Sequence, residues 1–325
     1  MSDLSRIDII SNETYADGYP HDGWTRLRRE APVYWYERPG VQPFWAITKH
    51  ADLVAISKQP KLFENAPRLA VFPGLETEVA EPPPARHLLN MDPPDHGRFR
   101  RLVSSRFAPR ALIPMTADVE PIAAEILDAF GNDGALSEAD FVTGVSARLP
   151  LAVLADMLGV PRSDWQRLFQ WTNETVGASD PEYQLEGESA PETADRARQE
   201  LFQYFWSLVE ERRRTPTEDI ISVLANAELD GEPVPPFELV SYFYLLVVAG
   251  NETTRNATTG GLLALLQRPE EFDKLRRDPG LLDAAVEEIV RWTSPVIQFC
   301  RTPNQDVVLR GQRIRAGDSL TLFYP

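Results

Sequence analysis

Three groupings of residues have the types and spacing that chemistry needs. In SYFYLLVVAGNETTRNATTGGLLALL, Ser241 to Leu266, an apolar pattern is interrupted by Ala249, Gly250, Asn251, Glu252, Thr253 and Thr254. Glu252 and Thr253 set an acid beside a hydroxyl, a pair able to hold and pass a proton. Ala249 and Gly250 carry almost no side chain, so something large and flat could approach the backbone there. Taken singly, Gly250, Thr253 and Thr254 would also let another helix cross closely, but the whole AGNETT string points beyond that. In LLNMDPPDHGRFRRLVSSRFAPR, His96 and Arg100 are four apart and share one helix face. They could grip a dianionic ligand, because arginine makes strong, directional bonds to carboxylates, although a solvated basic face has the same pattern. Glu288 and Arg291, three apart, form a helical pair whose spacing alone says little, since exposed pairs contribute about 0 to 1 kcal/mol.

The elements that position these groups follow from the flanking residues. Pro235 and Pro236 can start a helix and Pro269 marks where it should stop, which predicts one helix of about 30 residues, or roughly 45 Å. A helix that long and apolar is expected to cross the middle of a domain, buried on most sides. Its polar middle is rich in poor helix formers whose hydroxyls can bond back to the preceding turn. Such a conflict between local propensity and fold points to function. Its longest uncharged apolar run, Tyr242 to Gly250, is too short to span a membrane, which takes about 20 residues. Asp92 is expected to cap the helix bearing His96 and Arg100, with Pro93 and Pro94 in its first turn. Five arginines and no acid lie between His96 and Arg110. Arg98 and Arg101 point off the His96/Arg100 face and could serve an acidic protein partner.

Along the chain, Trp24, Leu27 and Ala31 predict a short amphipathic helix, Val33–Tyr36 and Phe44–Ile47 a hairpin, and His50–Ser57 a second helix. Gln59 to Pro84 is proline-rich and reads as a long loop with one short helix. Helices are expected over Pro109–Phe130 and Ala147–Leu158, with Gly159-Val160-Pro161 as a stop. An aromatic helix around Trp165–Trp171 follows, then an acidic loop from Gly177 to Glu192 and a helix from about Ala194 to Arg213. After the long helix come Glu271–Arg277, Leu281–Thr293 and strand-like alternation to Pro325. The fold class is mainly α with small β-sheets.

Composition bounds the function. The 325 residues, 43% apolar, suffice for a substantial core, and 49 acidic against 33 basic residues give a net charge of −16, which argues against nucleic-acid binding. The start, MSDLSRIDII, lacks a secretory pattern, and the cytoplasm is the expected location. A single cysteine, Cys300, excludes an internal disulfide and a multi-cysteine metal site. No D-D-x-x-D run supports a magnesium-dependent terpene cyclase.

AGNETTR, Ala249 to Arg255, resembles the oxygen-activating helix of the cytochrome P-450 family, the haem-thiolate monooxygenases. The H-x-x-x-R helix, the E-x-x-R segment AAVEEIVRW and the strands after it match the same family in order. The resemblance implies a triangular prism of helices around a long central helix, read here as a single domain over 1–325. It implies haem b, with His96, Arg100 and Arg301 on its propionates and Ala249 and Gly250 against its face. Thr253 would bond the outer oxygen of bound O2, and Glu252 would relay protons from solvent. Glu288 and Arg291 would be a buried structural pair, and the Gly177–Glu192 loop with its flanking helices would cover the substrate pocket. Two electrons would come from a ferredoxin-type donor docking near Arg98, Arg101 and Arg106. NETTRNATT and EEIVRWTSPV look most like bacterial members acting on steroids, methyl-branched lipids and isoprenoids, so an apolar small molecule is the expected substrate. The family's iron-ligating cysteine loop is not found before Pro325. Cys300 lacks the surrounding glycines and reads as a small, partly buried residue. A C-terminally incomplete chain is therefore expected, inactive alone and prone to aggregate through exposed apolar surface. The alternative is an inactive fragment or a non-enzymatic helical lipid-binding protein.

Overall fold

The computed structural model describes residues 4–16, 18–71, 85–132, 138–177, 180 and 182–325. In chain order these form α1 (Asn12–Ala16), α2 (His21–Glu30), β1 (Val33–Arg38), β2 (Val41–Ile47), α3 (His50–Ser57) and β3 (Phe63–Glu64). Then come α4 (Asp95–Ser104), α5 (Pro109–Asn132), α6 (Arg148–Leu158), α7 (Trp165–Val176), α8 (Ala190–Arg214) and α9 (Ile220–Ala225). The short strands β4 (Glu228–Leu229) and β5 (Glu232–Pro233) precede α10 (Pro236–Leu266), α11 (Pro269–Arg277) and α12 (Leu282–Thr293). The chain closes on β6 (Gln298–Pro303), β7 (Val307–Leu309), β8 (Gln312–Ile314) and β9 (Leu320–Phe323). The short helix expected before Pro84, and part of the Gly177–Glu192 loop, lie outside the described residues.

Two compact units result, residues 1–96 with 296–325 and residues 97–295. The first holds a five-stranded sheet in the order β1-β2-β9-β6-β3. β1 and β2 pair antiparallel as a hairpin, whereas β2 and β9 are parallel, Trp45 facing Leu320 in the ladder. One core cluster joins Trp24, Leu27, Tyr36, Phe44, Cys300 and Phe323, and a second joins Ile47, Ile56, Leu320 and Leu322.

The second unit is helical, and α10 is its longest element. Pro236 sits in its first turn, where a missing N–H is harmless, and the helix runs 31 residues as the flanking prolines predict. Its first half is buried through Leu239, Tyr242, Phe243, Leu245 and Val247. Phe243 lies against Phe205 of α8, ring centroids 5.3 Å apart, and Tyr242 donates to the Phe99 carbonyl of α4 at 3.4 Å. The second half departs from expectation, because Leu263 and Leu266 are exposed. Gly260 and Gly261 let α12 close in on one side only: a Cβ on Gly261 would meet Ile289 at 2.6 Å and one on Gly260 would meet Thr293 at 2.7 Å. No residue of α12 is buried, and Leu282, Val286, Val290 and Trp292 are exposed.

Two local expectations are corrected. Asp92 does not cap α4, which begins at Asp95 after both prolines. Its carboxylate instead accepts from the backbone N–H groups of Asn65 and Ala66 at 2.7 and 3.1 Å, donors that have no strand partner. Helix α8 starts at Ala190 rather than near Ala194, because Ser189 and Glu192 form a reciprocal capping box.

Gly159 closes α6 in the left-handed conformation, φ 80°. A Cβ there would collide with the Asp219 carboxyl group, which caps α9 through Ser222 N–H and pairs with Arg212 at 2.6 Å. Gly159→Ala is therefore expected to lower unfolding free energy by about 2 kcal/mol, through backbone strain and overpacking together. Denaturant unfolding of the two proteins measures this, and equal midpoints would refute it.

Candidate functional site

Thr253 and Ala249 stand one turn apart on α10. Ala249 is exposed, Thr253 is half-buried, and the Thr253 hydroxyl donates to the Ala249 carbonyl at 2.9 Å. This flank leaves a small side chain and a rotatable hydroxyl facing the same direction. Gly250 is different. A Cβ on it would meet Leu154 of α6 at 3.4 Å, an ordinary van der Waals contact, so this side of Gly250 lies beside a crossing helix.

Glu252 is half-buried, and both of its oxygens lie near Arg255 Nη2, at 2.5 and 2.7 Å. Arg255 Nη1 reaches on to the Asn173 side-chain oxygen of α7 at 3.3 Å. Burial raises the Glu252 pKa above the ordinary carboxylate value, and the adjacent guanidinium opposes that rise. Asn251 is fully buried, and among the described residues neither its amide nitrogen nor its oxygen has a partner. Two helical turns further on, Thr259 shares a 2.7 Å hydrogen bond with Ser146.

Arg255, Asn173 and the isolation of Asn251 escape the sequence reading. Arg255 was visible as the residue three after Glu252. Asn173, 82 residues before Arg255, carries no local signal.

The cationic groups are placed unit by unit. Helix α4 carries His96, half-buried, and Arg100, exposed. No described carboxylate pairs with either. In the first unit Arg301 is half-buried on β6 and donates to the Cys300 carbonyl at 2.7 Å, again without a described carboxylate partner. Cys300 is fully buried, near Thr321 Oγ1 at 3.5 Å, and burial raises its thiol pKa. Arg98 is not free, since it pairs with Asp230. Arg106 lines a cavity of about 400 Å³ with Asp118, Asp156 and Glu218, whereas Arg101 is exposed.

Glu288 and Arg291 do pair, in a two-pronged contact of 2.6 and 2.7 Å on α12. Their side chains are 60% and 65% exposed, which corrects the expectation of a buried pair. The cause is the position of α12, whose outer face has nothing described packed over it.

The comparisons bear on what these groups do. The chain is 35% identical over 327 residues to linalool 8-monooxygenase of Pseudomonas putida, covering 99% of this chain and 79% of that protein. It is 38% identical over 330 residues to a methyl-branched lipid omega-hydroxylase of Mycobacterium tuberculosis, covering 99% and 76%. The chain belongs to the cytochrome P-450 family. No family model matches it. A P-450 of Mycobacterium marinum in complex with pseudoionone superposes with a TM-score of 0.88 at 34% identity, covering 98% of this chain and 78% of that one. The mainly helical fold with small sheets is thus the P-450 fold, and the protein is a haem-dependent monooxygenase.

The chemistry of the donors in each unit suits the carboxylates of a haem: among the described residues no acid pairs with Arg100, which shares a helix with His96, or, in the first unit, with Arg301. The residues present include no fitting thiolate for the iron, because the one cysteine is a buried structural thiol.

Arg255→Ala removes the positive charge that favours ionised Glu252, so the carboxyl should hold its proton to higher pH than in the parent protein. A carbon-13 NMR titration of the Glu252 carboxyl reads this directly, and a midpoint that stayed put or fell would remove Arg255 from the role.

Proposed function

We propose that this cytochrome P-450 hydroxylates an apolar small molecule of the steroid, branched-lipid or terpenoid class, with haem b, dioxygen and two electrons from a ferredoxin-type protein. The observation that carries the reading is the Ala249/Thr253 flank of α10 with the half-buried Glu252 beside it. The relatives' names span terpenoid, branched-lipid and steroid oxidation, which supports the substrate class and favours an enzyme over a lipid carrier. Among the described residues no helix is long and apolar enough to cross a membrane. That is compatible with a cytoplasmic enzyme.

When bound, the haem supplies reductive activation of dioxygen and insertion of one oxygen atom into a C–H bond. His96, Arg100 and Arg301 are the residues that would hold its carboxylates, and Ala249 would leave room for it beside Thr253 on α10. Thr253 could release the Ala249 carbonyl and offer its hydroxyl as a donor on that flank of α10, exchanging one hydrogen bond for another. Glu252, whose proton is retained more readily than on an exposed carboxylate, passes protons to that hydroxyl. Arg255 and Asn173 limit where the carboxylate can swing. We take residues 1–325 as parts of one P-450 domain, with the Glu288/Arg291 pair bracing α12.

In the haem-loaded enzyme, Thr253→Ala should leave substrate affinity within about twofold while product per electron falls by roughly tenfold or more, replaced by peroxide. Turnover under ¹⁸O₂ should place one labelled atom in the parent's product. Unchanged coupling would sink the Thr253 role, and unlabelled product would sink the monooxygenase reading. Of the three arginines expected to meet the donor, only Arg101 is exposed and outside an acid-lined environment. Arg101→Glu should therefore slow reduction roughly tenfold at low salt and much less at high salt. A salt-independent, unaltered rate would place the donor elsewhere.

A further inference from the structure

Arg68 is a charged group with no part in the mechanism above and an orphaned, buried nitrogen. It lies in the segment between β3 and residue 71, and that segment is pinned. Cys300 N–H of β6 donates to the Leu69 carbonyl at 2.8 Å. The Gln298 side chain grips Val71 from both sides, accepting from its N–H at 3.3 Å and donating to its carbonyl at 2.8 Å. A guanidinium on so fixed a backbone is positioned, unlike a surface arginine that sweeps through solvent.

Its surroundings do not match its charge. Arg68 is half-buried, and its Nη1 is cut off from solvent with no hydrogen-bond partner among the described residues. Its Nη2 donates to the neutral Gln42 side chain, and no described carboxylate pairs with it. Burial lowers its pKa, and beside the neutral amides of Gln42 and Gln298 the same region holds the apolar cluster of buried Val71 and Cys300 with Val41 and Ile297. A desolvated, unpaired cation is unfavourable unless an anion completes it. An arginine presents a planar fork that matches a carboxylate. A monoanion with an apolar remainder sheds its water into such surroundings far more readily than a dianionic phosphate.

We propose that Arg68 is the binding site for the carboxylate of an apolar acid, which makes an acid-bearing lipid or terpenoid the preferred substrate class. The proposal rests on the monooxygenase reading for the fate of that ligand, not for its binding. A carboxylate could also come from the haem, and the test separates the two sources.

The experiment uses the full chain with haem supplied, at pH 7.5, and measures binding of dodecanoate and of dodecan-1-ol by calorimetry in the parent, Arg68→Ala and Arg68→Lys proteins. The parent should bind dodecanoate at least tenfold more tightly than the alcohol. Arg68→Ala should abolish that preference with alcohol affinity changed less than twofold, and Arg68→Lys should restore part of it. A parent without acid preference, or an Arg68→Ala protein that loses both ligands equally, overturns the proposal. So does one that keeps the preference but binds haem more weakly, since Arg68 would then hold a haem carboxylate. Failure of the monooxygenase reading would show differently, as acid preference intact and no ¹⁸O in any product.

Discussion

Helix α10 has to be apolar enough to anchor the packing of the second unit and polar enough to move protons. Both demands fall on the same 31 residues. The first half meets the packing demand through Phe243 against Phe205 and Tyr242 against the α4 backbone. The middle then carries a carboxyl, an amide and several hydroxyls, each of which has to be satisfied or tolerated. Thr253 uses its own helix backbone, Glu252 uses Arg255, and Thr259 uses Ser146. Asn251 uses nothing described. An unsatisfied buried polar group costs roughly 1 to 3 kcal/mol, which the surrounding apolar contacts have to offset.

Most of this helix was legible in the sequence. Its ends were marked by proline, its apolar run by composition, and its functional middle by the crowding of Gly, Asn, Glu and Thr. Smallness alone does not reveal which side of a residue is open: Gly250 lies beside Leu154, whereas Ala249 is exposed. Asp92 was misassigned because local position alone does not reveal a distant partner. Its position before a helix suggested a cap, but a distant pair of N–H groups at Asn65 and Ala66 had the stronger need. The α8 start, by contrast, was written in the sequence as Ser189 and Glu192. The Asn173 contact was not, because long-range partners leave no periodic trace.

Charge carries more information here than in a balanced chain. Against a net charge of −16, many guanidinium groups find an acid, as Arg196 does with Glu174, Glu188 and Glu200. Arg68, Arg100 and Arg301 are among those with no described carboxylate pair, and Arg68 is set apart by an Nη1 that is cut off from solvent without a partner among the described residues. Their isolation is a property of the folded chain. Residue counting could suggest Arg100 from its spacing to His96, but the sequence pattern of the 66–71 segment offered no comparable hint for Arg68.

The parallel pairing of β2 with β9 has a further consequence. Trp45 donates to Asp318 across 273 positions, and Trp45 to Ile47 lie beside Leu320 to Leu322 in one ladder. Contacts of such sequence separation form slowly, because the intervening chain has to be closed before they contribute. The helical unit, residues 97–295, is contiguous. During synthesis it can therefore condense as it leaves the ribosome, while the hairpin of β1 and β2 waits with the β2 edge unpaired. That edge is hydrophobic and would be open to other chains until β9 arrives. The order of synthesis thus makes the first fifty residues the stretch most in need of chaperone protection.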